Sequence, residues 1–210
     1  VENLSAYFSE AALMRYRLKI EIEYLIALAN EKEIKGLTPF SNSQQSRLRK
    51  FYQNFNSTCA KQVKTIETTT NHDVKAIEYY LQTKIKKSLH PWIHFGLTSE
   101  DINNLSYSLM WQDGLKQVYV PALQSVNNLL KGFAKKYKNT SMLALTHGQP
   151  ATPTTFGKEF AVFYMRLGRQ IQQIKSNILL GKFSGATGTW SAQMAAYPKV
   201  NWIRFSSRFI

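Results

Sequence analysis

The sequence predicts an all-α chain, with an N-terminal helical domain followed by the start of a long-helix bundle. Three observations carry the prediction. Apolar residues recur in steps of three and four, most clearly at Phe156, Phe160, Phe163, Leu167, Ile171, Ile174 and Ile178, which is the spacing of one helix face. Ser, Thr, Asn and Asp stand in front of such stretches, where N-caps belong. No internal repeat or low-complexity tract interrupts the pattern.

The elements follow in order. Residues 8–30 carry Leu13, Leu18, Ile22, Leu25, Ile26 and Ala29 near helical spacing. Gly36, Thr38 and Pro39 then punctuate the chain, and a second helix is expected over 41–55. A third spans 73–89, with Val74, Ile77, Tyr80, Leu81 and Ile85 on one face. A long helix is expected over 99–137, kinked or broken at Pro121. Residues 142–146 read as a short extended segment. Thr152 as N-cap and Pro153 at N1 open a helix to about residue 180, and its apolar stripe reads as core. The stretch 181–189 holds Gly181, Gly185 and Gly188 and is a loop, without the spacing of a dinucleotide or P-loop fingerprint. A domain boundary near 111–117 divides the chain into 1–112 and an incomplete central-bundle part, 113–210. The absence of an initiating Met and the ending inside a helical stretch at Arg208–Ile210 are what a fragment is expected to show.

Composition narrows the function classes. With 44% apolar and 19% charged residues in 210, the chain can bury a core. Its single cysteine, Cys59, allows no internal disulfide and fits a reducing compartment. Neither a secretory signal nor a membrane-spanning apolar stretch is visible. The 27 Lys and Arg against 13 Asp and Glu give a net charge of +14, which asks for an anionic partner. The basic residues are dispersed. Their two clusters, 84–87 and 131–138, sit at expected helix ends, where cations complement the helix dipole. That favours a solvated face over a nucleic-acid interface.

Three of the four histidines lie in short polar motifs: Asn71-His72-Asp73 with Lys75, His94 before Thr98-Ser99-Glu100-Asp101, and Thr146-His147-Gly148-Gln149-Pro150. Histidine is the side chain best suited to move protons near neutral pH. Asn71, Asp73, Thr98 and Ser99 also read as ordinary helix caps. A helix N-terminus binds anions as well, so Thr98 and Ser99 could hold a carboxylate there, with His94 facing the same pocket. Lys75 adds a cation within a turn of His72. The glycine and prolines around His147 fix its backbone, as suits a residue held at a set geometry. The histidines form no His-x-x-x-His pair, and there is no second cysteine, so no metal site is expected.

Taken together, these motifs resemble the adenylosuccinate-lyase family of the fumarase/aspartase superfamily. The match runs through Thr69–Tyr79, His94–Asn104, Thr146–Glu159 and the glycine loop Gly181–Gly188, in the family's order. The resemblance implies β-elimination of fumarate from adenylosuccinate, giving AMP, and from SAICAR, giving AICAR, with no cofactor. It implies His147 as general acid, with Asn71, His72, Asp73, Thr98 and Ser99 as substrate contacts. His94, Lys75 and Gln149 are further candidates for binding the anionic substrate. It also implies a cytoplasmic homotetramer whose sites are shared between subunits, without nucleic-acid or membrane partners. The family's serine base lies in a signature loop that residues 1–210 do not contain, so the piece alone is expected to be inactive. Another lyase of the superfamily and a basic all-α nucleic-acid-binding module are the competing readings.

Overall fold

The computed structural model describes residues 2–210. Ten α-helices and one two-stranded hairpin are found among them. Two compact units are present: the chain up to Gln112 together with Leu180–Ile210, and Asp113–Leu179. Residues 180–210 therefore pack with the first unit, although the sequence groups them with the second.

The first unit is built around helix α2 (Glu10–Ala29). Ser9 caps it by accepting the Ala12 N–H, which separates it from the short α1 (Glu2–Phe8). The expected single helix over 8–30 thus begins two residues later, at Glu10. One side of α2 packs Met14, Leu18, Ile22 and Ile26 against Leu48, Val63, Ile77 and Leu81. Another packs Tyr24, Leu25 and Leu28 against Ile102, Leu105, Phe183 and Phe205. A helix buried on most of its circumference shows no single apolar stripe, which explains its loose periodicity.

Around α2 lie α3 (Asn42–Gln53), α4 (Ser57–Thr70) and α5 (Asp73–Gln82). Ser41 and Gln44 form a reciprocal capping box on α3. Helix α4 is absent from the sequence-based expectation because only Val63 is buried in it. Helix α5 stops at Gln82, short of the expected 89, and a 3₁₀ turn over Lys87–Trp92 follows. The unit is completed by α6 (Ser99–Gly114), α9 (Ser191–Ala196) and α10 (Trp202–Phe209).

After α6 a π-helical turn, Leu115–Tyr119, leads into α7 (Val120–Lys136). Pro121 is the second residue of α7, and Tyr119 and Val120 before it already hold helical φ and ψ, so its missing N–H falls beside the π-turn within a continuing helix. The proline is thus absorbed without a break in the helical chain.

In the second unit α7 pairs with α8 (Phe156–Ser176) through ring contacts such as Phe133–Phe160 at 5.1 Å. Gly157 lies so close to α7 that a Cβ would stand 2.5 Å from the Ala134 carbonyl oxygen. Between the helices runs the antiparallel hairpin β1 (Ser141–Thr146) and β2 (Gln149–Thr155), with one register irregularity between Leu143 and Leu145. Thr155, not Thr152, caps α8 by accepting the Lys158 N–H. The residue before a proline avoids helical geometry, and Thr152-Pro153 stays extended in β2. The expected core stripe of α8 is largely open: Ile171 is buried, but Phe163 is 57% exposed and Ile178, beyond the helix end, 82%.

Candidate active site

Backbone geometry marks the histidine motifs. Among the described residues, four non-glycine positions have a positive φ: Asn71 (48°), His94 (56°), His147 (50°) and Trp190 (51°). Three of them lie in the candidate motifs. Left-handed backbone at a side-chain-bearing residue is strained and concentrates at functional sites.

Asn71 ends α4 in that conformation. His72, rather than Asn71 or Asp73, is the N-cap of α5: its Nδ1 accepts the Lys75 N–H at 3.3 Å. An accepting Nδ1 places the ring proton on Nε2. Asp73, the next residue, meets the Arg17 guanidinium at 2.6 Å. Arg17 is itself buried in α2, and its Nε donates to Asn103 Oδ1 at 2.9 Å. One cation thus joins the Asn-His-Asp motif to the Ser-Glu-Asp-Ile-Asn-Asn motif. Burial pushes the Asp73 carboxyl up, but the Arg17 charge and the Val74 N–H outweigh it and hold the group below the usual aspartate value.

His94 sits in a second network. Its Nδ1 lies 2.6 Å from Glu21 Oε1, and its backbone N–H donates to Glu21 Oε2 at 3.0 Å. Glu78 Oε1 lies 3.8 Å away, and the other Glu78 oxygen accepts from Lys75 Nζ at 2.7 Å. Glu21 is fully buried. Burial favours the neutral ring, yet the hydrogen bond to Glu21 and the two carboxylate charges raise His94 above the ordinary histidine value, with Lys75 opposing. The arrangement favours the protonated ring, and its Nε2 has no protein partner among the described residues. Lys75, expected as a free cation, is already paired with Glu78.

Thr98 and Ser99 open α6, as expected. The Thr98 amide is taken, however, because it donates to Asp101 Oδ2 at 2.9 Å. Both hydroxyls remain without a hydrogen bond among the described residues. Asp101 is fully buried and serves the glycine loop: it accepts from Lys182 Nζ at 2.8 Å and from the Ser184 and Gly185 amides at 2.9 and 3.2 Å. Asn104 clamps the same loop from both sides, donating to the Lys182 carbonyl and accepting its N–H.

His147 and Gln149 belong to the second unit. His147 and Gly148 (φ 74°) are the two central residues of the β1–β2 turn. A two-residue type I′ turn requires positive φ at both. The turn holds the imidazole out from the hairpin, exposed, with no side-chain bond among the described residues. The first unit therefore brings together Asn71, His72, Asp73, Lys75, His94, Thr98 and Ser99, whereas His147 and Gln149 are carried on the hairpin.

Sequence reasoning missed Arg17, Glu21, Glu78 and Asp101. A signal existed for the two glutamates, since each interrupts an apolar face with a charge that burial would penalise unless paired. No group of three or more His, Cys, Asp or Glu able to hold a metal ion is found among the described residues.

The fold is that of the fumarate-lyase proteins. A fumarate lyase from Mesorhizobium sp. BNC1 superposes with a TM-score of 0.78 at 21% identity, over 99% of this chain and 47% of that one. A 3-carboxy-cis,cis-muconate lactonizing enzyme from Pseudomonas putida gives 0.72 at 22%, over 100% and 47%. Residues 1–207 match the lyase family (Lyase_1), and the chain belongs to that family. Among its relatives, the adenylosuccinate lyases of Dictyostelium discoideum and Escherichia coli (strain K12) are 43% and 41% identical, each over 100% of this chain and 47% of their own length. The chain thus spans about half the length of the curated relatives it matches.

Proposed function

We propose that this chain supplies the substrate-holding part and the general acid of an adenylosuccinate lyase. The reaction is β-elimination of fumarate from adenylosuccinate, giving AMP, and from SAICAR, giving AICAR. The observation that carries the reading is the His94 ring, placed between Glu21 and Glu78 with its second nitrogen free. A ring whose charged form is favoured by two carboxylates is suited to donate to a phosphate or carboxylate of the substrate. Relatives named adenylosuccinate lyase at 41–43% identity support the choice of substrate.

In the proposed reaction a base takes the proton from the carbon next to a carboxylate. The electron pair forms the C=C bond of fumarate and expels the C–N bond's electrons onto nitrogen. His147 donates its proton to that nitrogen. The exposed turn fits this role, because a proton donor must reach the substrate rather than the protein's own carbonyls. Thr98 and Ser99 offer free hydroxyls to a succinyl carboxylate, and Asn71, His72, Asp73, Lys75 and Gln149 contact the rest. The working form is a cytoplasmic homotetramer with shared sites. Within it residues 1–112, with 180–210 packed on them, act as the N-terminal helical domain and 113–179 as the opening part of the central bundle.

A chimaera tests this, with residues 1–210 replacing the matched part of the Escherichia coli relative. It should release fumarate from adenylosuccinate, and His147→Ala should lower kcat about 100-fold, the contribution of one general acid, with little change in KM. A folded chimaera that eliminates fumarate only from argininosuccinate would assign the chain to another lyase. An unchanged kcat in His147→Ala would remove the histidine from the chemistry.

A further inference from the structure

We infer that the cleft between α3 and residues 84–89 is a second binding site, for a small organic anion with a flat apolar body. It has a cavity volume of about 580 Å³, within the usual range of ligand pockets. It uses none of the residues of the candidate active site.

Two features define the ligand. The walls are apolar and partly aromatic: Phe40, Leu48, Phe51 and Ile85 line them. The rim is cationic, formed by Arg47, Lys84 and Lys86, and no Asp or Glu lines the cleft. Among the described residues none of these three cations is paired with a carboxylate. Lys84 Nζ reaches only Gln62 Oε1 at 3.4 Å and the Tyr80 ring at 5.0 Å. Like charges gathered at the mouth of an apolar cleft concentrate positive potential there. A bare dicarboxylate would leave the walls wet, and a neutral hydrocarbon would leave the rim unanswered. An aryl or heteroaryl phosphate, sulfonate or carboxylate answers both, its ring between Phe40 and Phe51 and its anion against the rim.

The rim also gives meaning to a motif left over from the sequence. The 84–87 cluster does follow a helix end: α5 stops at Gln82, Thr83 is its C-cap, and Lys84 comes next. Lys86 stands just before the 3₁₀ turn. Neither side chain is tied to a carboxylate among the described residues, so both can serve the cleft.

Naphthalene-1-sulfonate and neutral naphthalene-1-methanol are suitable probes, titrated calorimetrically into the full 210-residue chain. The sulfonate should bind at one saturable site, at least tenfold more tightly than the alcohol. The triple variant Arg47→Gln/Lys84→Gln/Lys86→Gln should weaken the sulfonate at least tenfold and leave the alcohol unchanged. Ser88→Trp, placed at an exposed lining position, should block both probes by filling the cleft with its charges intact. All substituted side chains are exposed, so melting temperatures should match the parent chain. Equal affinity for the two probes, full sulfonate affinity in the triple variant, unchanged binding in Ser88→Trp, or no saturable binding would each overturn the inference.

Discussion

At the scale of single residues, buried charge is tolerated here only where it is paired. Glu21 has no solvent contact, and it is stabilised by the two bonds it accepts from His94. Glu21→Ala should lower stability by about 3 kcal/mol, the usual loss when one partner of a buried pair is removed, read as a shift in urea midpoint. The pairing also sets a pH dependence. His94 has a raised value in the folded chain, so its contribution is fully present below the ordinary histidine value of about 6.5. It is lost as pH rises through the higher folded value. Stability should therefore fall as pH rises above about 6.5, and Glu21→Gln should flatten that slope. An undiminished slope in the variant would place the titration elsewhere. Asp73 works with the opposite sign. Its lowered value adds stability above the ordinary aspartate range, and this is lost as pH falls through the folded value.

At the scale of elements, the polar motifs act as joints. Asp101 and Asn104, both in the first turns of α6, hold the 181–188 loop by its amides, a lysine ammonium and a carbonyl. Asp101→Ala should release that loop, and the measurement is hydrogen exchange: the Ser184 and Gly185 amides should lose protection while those inside α2 keep it. Loss of protection throughout the first unit would mean that Asp101 holds the fold rather than the loop. The α7–α8 pair depends on a different joint. At Gly157 a methyl group would meet the backbone of Ala134 and Lys138. Gly157→Ala should thus destabilise the second unit by about 2 kcal/mol, the size expected of overpacking against an unyielding neighbour.

At the scale of the whole chain, the second unit presents more apolar surface than two helices can cover. Leu129 and Phe163 are each 57% exposed and Met165 67%. Large exposed apolar patches mark association surfaces. The chain should self-associate in sedimentation experiments at micromolar concentration, and Leu129→Glu/Phe163→Glu should shift it toward monomer. A parent chain that sediments as a monomer would rule out this surface as a self-contact.

Much of this was legible in the residues. The regular spacing in 156–174 and the helix starts near Ser41 and Ser99 follow from local rules, because a helix needs only neighbours a few positions away. The three histidine motifs stood out for the same reason, as polar runs where a core would be apolar. Other features needed distant partners. Helix α4 had too little buried surface to announce itself, and β1 and β2 take their register from each other. The bond from Arg17 to Asn103 spans 86 positions, and that from Asp101 to Gly185 spans 84. The sequence by itself determined a helical chain carrying three of its histidines in polar motifs. Only the tertiary structure decided which groups surround His94, what holds the glycine loop and which cations remain free, since Coulomb and hydrogen-bond energies depend on distances that no local pattern encodes.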